Sequence, residues 1–135
     1  MRDVAPSSNP RSRAFITTTV LANGVLFTQM GGYIDAELCN RQLPEFRAAL
    51  DQQPGGIWII EVERLAGFDP KAVKSGAAWF ATFKAIGGQR VIYVSRSAAA
   101  RMAAQALGFG AGVKVVCVDG FEQARETAGL TRQIA

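Results

Sequence analysis

Short apolar runs at the start of the chain alternate with turn-forming residues. Residues 15–21 and 25–30 are both rich in β-branched and apolar side chains, which favour strands. Residues 22–24 between them contain Asn-Gly, a pair that tolerates the positive φ angles of a two-residue hairpin turn. The pattern therefore predicts an antiparallel hairpin, and the two glycines at residues 31–32 are predicted to end its second strand.

A helical period follows the hairpin. One apolar face is formed by four residues spaced four, three and four apart: Cys39, Leu43, Phe46 and Leu50. Asp35 stands where a helix N-cap is expected. Pro44 lacks an N–H and clashes with the preceding helical turn. We therefore predict a short first turn over residues 36–40 and a main helix over residues 43–52.

The rest of the chain alternates strands with helices. Nearly continuous apolar runs predict three further strands, at residues 57–62, 90–95 and 113–118. Asp69 followed by Pro70 is a strong start signal for a second helix. An alanine-rich third helix and a short last helix are predicted over residues 97–107 and 120–128. Residues 63–69 and the glycine-rich residues 108–112 are predicted to be loops.

This order of elements predicts a single α/β domain. It has a mixed five-stranded sheet with an N-terminal hairpin and about four helices. The domain is predicted to span residues 13–130. Residues 1–12, rich in Pro, Ser, Asn and Arg, are predicted to be a disordered basic tail, and residues 131–135 a frayed C-terminus.

Composition limits the chemistry that the chain can carry. There is no histidine among the 135 residues, which removes the commonest general base and the usual zinc ligand. The two cysteines, Cys39 and Cys117, form neither a Cys-x-x-Cys pair nor a disulfide framework. We therefore predict that the protein is not an enzyme and holds no metal and no cofactor.

Charge and hydropathy narrow the location and the partners. A net charge of +4 admits nucleic acid, anionic lipid or an acidic protein. Arg2 and Arg11 lie in the predicted tail and Arg13 directly follows it, however, which argues against a nucleic-acid surface on the domain. Apolar runs are far shorter than the ~18–20 residues needed to cross a bilayer, and the N-terminus lacks the apolar centre of a signal peptide. We predict a cytoplasmic protein without a membrane span.

Several segments together resemble the STAS domain, the fold shared by anti-sigma factor antagonists and the cytoplasmic tails of sulfate transporters. The resemblance covers about residues 15–128 and is carried by four stretches: residues 32–35, 43–50, 59–69 and 113–128. It implies a bacterial signalling regulator that binds a protein partner, such as an anti-sigma factor or a related kinase. Homodimerisation is compatible with this interpretation.

The start of the second helix departs from the family pattern. In the antagonist branch, an Asp here is followed by a Ser or Thr that a partner kinase phosphorylates. In this chain Asp69 is followed by Pro70 and Lys71, so the usual phosphoacceptor is missing. Ser75 is an alternative phosphosite, or an ordinary small helix residue. The partner-binding surface is predicted to comprise five residues: Phe68, Asp69, Lys71, Lys74 and Ser75.

Basic residues near two helix starts suggest a second kind of site. In a parallel sheet these helix starts gather at the carboxyl ends of the strands, where ligands commonly bind, and helix N-termini favour anions. A candidate anion site, with a solvated polar rim as the alternative, comprises Lys71, Lys74, Arg96 and Arg101. These residues and the apolar second helix also support an alternative function, a small-ligand or lipid-binding protein of the same fold.

Five side chains allow both a structural and a functional interpretation. Trp58 is predicted to pack in the core, and Trp79 either packs there or joins an exposed apolar patch for a partner. Cys39 is predicted to be a buried packing residue, not a reactive thiol. Glu61 and its neighbour Glu63 are predicted to face solvent at the end of a strand.

Overall fold

Strands and helices alternate along the chain much as the hydrophobic pattern predicts. The computed structural model describes residues 14–21, 24–52 and 56–129. Its elements are β1 (Phe15–Val20), β2 (Leu26–Ile34), α1 (Ala36–Gln52), β3 (Ile57–Phe68), α2 (Pro70–Ala85), β4 (Arg90–Val94), α3 (Ala98–Ala111), β5 (Lys114–Val118) and α4 (Phe121–Ala128). The predicted tail at residues 1–12 and the predicted frayed end at residues 131–135 lie outside the described residues, as does most of the predicted hairpin turn.

The five strands form one mixed sheet in the order β1-β2-β3-β4-β5. β1 pairs antiparallel with β2, and the other three pairings are parallel. The fold class predicted from the sequence, with its N-terminal hairpin, is therefore confirmed. β4 is buried from Val91 to Val94, so both of its faces are covered. This burial explains why the strand is apolar at nearly every position.

Helices α1, α2 and α3 cover one face of the sheet, which we call the three-helix face. Its centre is a cluster of buried rings: Phe46, Trp58, Trp79, Phe80 and Phe83. The ring of Phe46 lies 4.6 Å from those of both Trp58 and Trp79, between centroids. Each buried indole N–H has a partner, since Trp58 donates to the Thr28 hydroxyl at 2.8 Å and Trp79 to the Cys39 carbonyl at 3.1 Å. The prediction that Trp58 packs in the core is confirmed, and of the two alternatives for Trp79 the structure shows core packing.

Helix α4 packs on the opposite face, which we call the single-helix face. The core there is smaller and mainly aliphatic: Val25, Ile59, Ile92, Val94, Val118 and Ala124. Phe27 and Phe121 extend it, with ring centroids 4.9 Å apart. The sheet therefore has a thick aromatic layer on one side and a thin aliphatic one on the other.

Pro44 does not interrupt the first helix, so the predicted break is wrong. α1 runs from Ala36 to Gln52, and Asp35 caps it by accepting the Leu38 N–H at 2.9 Å. Pro44 removes one helical hydrogen bond, but it lies on the exposed side of α1. Buried residues on both sides of it, including Cys39 and Phe46, hold the helix against the sheet. Packing of this face outweighs the local cost of the proline.

β2 and β3 are both longer than predicted, because the segment expected to be a loop forms a strand. Residues 62–68 of β3 pair with the end of β2, which continues through its two glycines to Ile34. The register shifts twice along this pair, and each shift places one extra residue in β3. Gly32 lies at the second shift with a φ of 75°, a conformation that a side chain disfavours. The irregular end of β3 becomes a wall of the candidate site.

α3 also exceeds its predicted length and includes most of the glycine-rich segment. The helix ends at Ala111, and Gly112 caps it in the left-handed conformation. A Cβ atom on Gly108 would lie 2.3 Å from the Val115 Cγ2 atom, so only glycine lets α3 approach β5 this closely. Close packing against β5 therefore explains Gly108, and the predicted flexible loop is wrong.

Candidate functional site

The start of α2 is held rigidly. The Asp69 carboxylate accepts the Lys71 N–H at 2.9 Å, and Pro70 occupies the first helical position. The Asp69 backbone N–H donates to the Ile34 carbonyl at 2.9 Å, which ties the helix start to the end of β2. The capping predicted from the sequence is confirmed, and the side chains around it are presented in a fixed orientation.

The residues predicted to contact a partner lie on one continuous segment. Phe68, the last residue of β3, is half-buried, and Lys71 and Lys74 are exposed on α2. The two lysines are three positions apart, so they project from neighbouring points of the same helix face. Ser75 is half-buried on the next turn. The segment thus combines a partly accessible ring with two free positive charges.

The start of α3 resembles that of α2 in its capping but differs in its charges. The Ser97 hydroxyl accepts the Ala100 N–H at 3.2 Å, and the buried Ser95 hydroxyl accepts the Ser97 N–H at 3.1 Å. Arg96, between the two serines, is exposed. Arg101 donates to the Ser95 carbonyl at 2.5 Å and to the Asp119 carboxylate at 2.6 Å. These bonds tie Arg101 to the residues that directly follow β4 and β5, so its guanidinium is already engaged within the fold.

A crevice of about 580 Å³ opens where β3 and β4 end. One wall is the irregular part of β3 from Val62 to Phe68, and the other runs from Ser95 to Ala100. Arg96 lines it, whereas Lys71 and Lys74 do not. The four basic residues predicted to bind an anion are therefore divided: one lines the crevice, two lie on α2, and Arg101 is bound to Asp119.

A second, smaller space lies between the sheet, α2 and α3. This cavity of about 90 Å³ is walled by apolar groups, and none of its described lining residues is charged. Trp58 and Trp79 form part of the wall, and Ala103, Ala104 and Leu107 of α3 form another part. Leu65 and Phe68 line both the cavity and the crevice.

Neither the cavity nor the crevice is predicted by the sequence pattern. Leu65 and Phe68 fall in the segment predicted to be a loop, where an apolar side chain has no assigned face. Their apolar character was the one signal of a packing role, because loop residues that do not pack against other elements are mostly polar. Ser95 and Ser97 were likewise not singled out, although Ser is a favoured N-cap residue before an alanine-rich helix.

Ionisable groups in and near the cavity are held in their neutral forms. Burial raises the pKa of the Cys39 thiol to about 11, and the nearby Asp35 carboxylate adds to the rise. Burial also raises the pKa of Tyr93 to about 12, with a smaller contribution from Cys117. Both residues line the three-helix face and stay protonated at neutral pH. The prediction that Cys39 is a packing residue is confirmed by its burial.

Glu61 is buried, so the prediction that it faces solvent is wrong. Its side chain is 7% exposed, and its carboxylate accepts a hydrogen bond from the Gln29 amide at 2.9 Å. The other carboxylate oxygen accepts the Glu63 backbone N–H at 2.6 Å. Glu63 itself is exposed, as predicted. The two acids therefore do not form a catalytic pair, because one carboxylate is occupied in holding the start of the irregular segment of β3.

An exposed apolar patch lies on α3 and not around Trp79. Met102 and Phe109 are 70% and 90% exposed and stand seven positions apart, which places them on the same side of the helix. Homodimerisation stays a prediction, and these two side chains are the place to test it.

Two features are absent from the described part of the chain, a metal-binding cluster and a membrane-spanning helix. Over residues 14–21, 24–52 and 56–129, no three His, Cys, Asp or Glu side chains lie close enough to hold a metal ion. Within the same ranges, no helix has both the length and the apolar character needed to cross a bilayer.

The chain resembles known proteins in its fold but not in its sequence. The sequence matches no protein-family model, and it matches no curated protein. In contrast, the anti-sigma factor antagonist SpoIIAA in its unphosphorylated form, which has the STAS fold, superposes with a TM-score of 0.65 at 16% identity, over 86% of this chain and 98% of that one. The chain has a STAS-like fold.

Two further structures share this STAS-like fold. A DUF3478-family protein with a SpoIIAA-like fold from Shewanella loihica gives a TM-score of 0.64 at 14% identity, over 84% of this chain and 93% of that one. The phosphorylated form of the Bacillus cell fate determinant SpoIIAA gives 0.63 at 18% identity, over 84% and 98% of the two chains. The likeness therefore covers most of this chain, with little sequence in common.

Proposed function

We propose that this chain is a non-catalytic regulatory module that binds a protein partner through the start of α2. The observation that carries the proposal is the capped segment at the end of β3, where half-buried Phe68 directly precedes a helix start with exposed Lys71 and Lys74. An aromatic ring next to free charges is a common composition for the centre of a protein interface. The STAS-like fold, shared with a protein described as an anti-sigma factor antagonist, supports the same function.

The charges at this surface favour an acidic partner. The first turn of α2 holds no acidic side chain, and the positive end of the helix dipole adds to the charges of Lys71 and Lys74. Complementary charge mainly speeds association and selects the partner, while a buried ring slows dissociation. We therefore assign recognition of acidic side chains to the lysines and anchoring to Phe68.

The proposed function does not include control by phosphorylation after Asp69, which the family resemblance would imply. Phosphorylation needs a hydroxyl, and Pro70 and Lys71 follow Asp69 where the resemblance places a Ser or Thr. Partner binding at this surface is then not reversed by modification after Asp69. Ser75 is the remaining hydroxyl of the predicted surface, and a phosphate there would lie one turn after Lys71 and next to Lys74 in the sequence.

The lack of catalysis rests on the chemistry of the available side chains. The full sequence contains no histidine, the buried thiol of Cys39 stays protonated at neutral pH, and Glu61 is engaged by Gln29 and Glu63. A nucleophile or a general base needs a pKa near the working pH.

Reversal of the two charges tests the surface. The partner is isolated from the native host on immobilised protein, purified, and its affinity is then measured by calorimetry against each variant. We expect Lys71→Glu combined with Lys74→Glu to weaken binding at least tenfold. Lys84→Glu is the matched control, because Lys84 is an exposed lysine in the last turn of the same helix, and it should change the affinity by less than twofold.

Two outcomes would contradict the proposal. Equal affinities for the wild-type protein and the double variant would exclude this surface as the contact. Failure of every purified candidate partner to bind at micromolar concentration would argue against a protein-binding function. In that case the alternative, a small-ligand protein of the same fold, is favoured by a separate observation, the apolar cavity.

A further inference from the structure

The cavity and the crevice follow one another along α3. Residues of the first turn, from Ser97 to Ala100, line the crevice, and Ala103, Ala104 and Leu107 on the next turns line the cavity. Leu65 and Phe68 belong to the walls of both spaces. An uncharged pocket thus adjoins a polar crevice that contains a cation and a helix N-terminus.

We propose that the two spaces together bind a single-chain anionic amphiphile. Its aliphatic tail occupies the cavity and its headgroup lies in the crevice, with Leu65 and Phe68 around the junction. This proposal does not rest on the protein-binding function: Phe68 belongs to both sites, but neither exposed lysine of α2 lines the cavity or the crevice.

The size and walls of the cavity define the tail. A cavity of about 150 Å³ with an aliphatic and aromatic lining holds one benzene molecule, and the space here is about 90 Å³. A flexible run of a few methylene groups fits this volume better than a rigid ring does. The lining stays neutral because Cys39 and Tyr93 keep their protons at neutral pH. A charged or strongly hydrated group would therefore be excluded from the cavity.

The crevice defines the headgroup. The Arg96 side chain is exposed at its wall, and no acidic residue lies in the first turn of α3, so the positive end of this helix is not neutralised. Glu63 also lines the crevice and is exposed, which limits the net positive charge there. A carboxylate or a phosphate monoester supplies the required negative charge.

The position of the tryptophans provides the measurement. Trp58 and Trp79 are the two tryptophans of the chain, and both line the cavity. We expect 8-bromooctanoate to quench their fluorescence in a saturable manner, and unlabelled octanoate to reverse the quenching. Octyl phosphate and octanol, used as competitors, distinguish the headgroups. Absence of saturable quenching, or quenching that octanoate does not reverse, would overturn the proposal.

A charge variant tests the headgroup position. Arg96→Gln should weaken octanoate and octyl phosphate about fivefold to tenfold, and octanol by less than twofold. Glu63→Gln should strengthen both anions about twofold. Arg47→Gln, an exposed arginine of α1 that lines neither space, is the control and should leave all affinities unchanged. Equal loss of octanol and octanoate binding in Arg96→Gln would place the headgroup elsewhere and refute the arrangement.

A filled cavity tests the tail position. Ala103→Leu places three extra carbon atoms at the wall and should weaken octanoate at least tenfold while circular dichroism stays unchanged. If this variant does not fold, the wild-type protein gives the same test with butanoate, hexanoate and octanoate. Each added methylene should then strengthen binding about fourfold, as expected for burial of a methylene. Affinities independent of chain length would show that no tail is buried.

Discussion

The two faces of the sheet are built differently, although they share the same strands. On the three-helix face, Phe46 and Phe83 are fully buried within a cluster of rings, yet a cavity remains beside Leu65 and Phe68. On the single-helix face, small aliphatic residues and α4 fill a thinner layer. The three-helix face thus contains both fully buried rings and an unfilled space where β3 ends. The rigid part of the three-helix face can therefore support an adjacent space that is free to bind.

The largest effect is expected when one aromatic ring is removed from each face of the sheet. Phe46→Ala should lower the free energy of unfolding by about 3–5 kcal/mol, because it opens a hole between Trp58 and Trp79. Phe27→Ala on the single-helix face should cost about 1–2 kcal/mol, since Phe27 is half-buried. Urea unfolding followed by circular dichroism gives both values. Equal losses would show that the two layers carry equal weight.

A second test probes how closely α3 is packed. In Gly108→Ala, the added methyl group meets both the Val115 side chain and the Val113 carbonyl oxygen, which is 2.8 Å from the Cβ position. We expect a loss of about 1–3 kcal/mol in unfolding free energy. Gly110→Ala is the control, because nothing lies within 4 Å of its Cβ position, and the alanine should be neutral or slightly stabilising. A neutral Gly108→Ala would mean that α3 can shift away from β5.

A third test addresses the buried carboxylate of the single-helix face. Gln29→Leu removes the amide that donates to Glu61, and the carboxylate keeps only the Glu63 N–H. We expect a loss of about 1–2 kcal/mol. Adding Glu61→Leu should recover part of this loss, because the unpaired acceptor is then gone. If the double variant is less stable than Gln29→Leu, Glu61 has a role beyond its bond to Gln29.

The smallest effect concerns pH. The pKa of Cys39 rises from its ordinary value of 9.0 to about 11 in the folded protein. Above pH 9 the unfolded chain therefore loses this proton while the folded chain keeps it, so stability declines as the pH rises from about 9 towards 11. Cys39→Ala should reduce this decline, measured as the slope of unfolding free energy against pH. A slope unchanged by Cys39→Ala would assign the decline to other groups, Tyr93 first among them.

Local signals in the sequence were enough to predict the elements and their order. Asp35 and Asp69 were identified as helix caps because capping depends on a few neighbouring residues. Pro44 was misjudged because the local cost of a proline is outweighed by tertiary packing of α1.

The candidate site was less predictable than the fold. Phe68, Lys71 and Lys74 were singled out from the helix start, and their role in partner binding stays a prediction. The cavity depends on how Leu65 and Phe68 meet α3, which follows from two register shifts that no periodicity reveals. Arg101 was predicted to bind an anion from its place near a helix start. Its bond to Asp119 could not be foreseen, because Asp119 lies 18 residues further along the chain.

The two bulges of β3 also bear on how the protein avoids self-association. β3 pairs with β4 only as far as Glu61, so the backbone of residues 62–68 has an edge that β4 does not cover. An open, regular edge can recruit a strand from another molecule and start aggregation. Here the two inserted residues break the regular spacing of hydrogen-bonding groups, and the exposed charges of Glu63 and Arg64 lie beside them. The irregularity that shapes the crevice thus also makes this edge a poor template for an incoming strand.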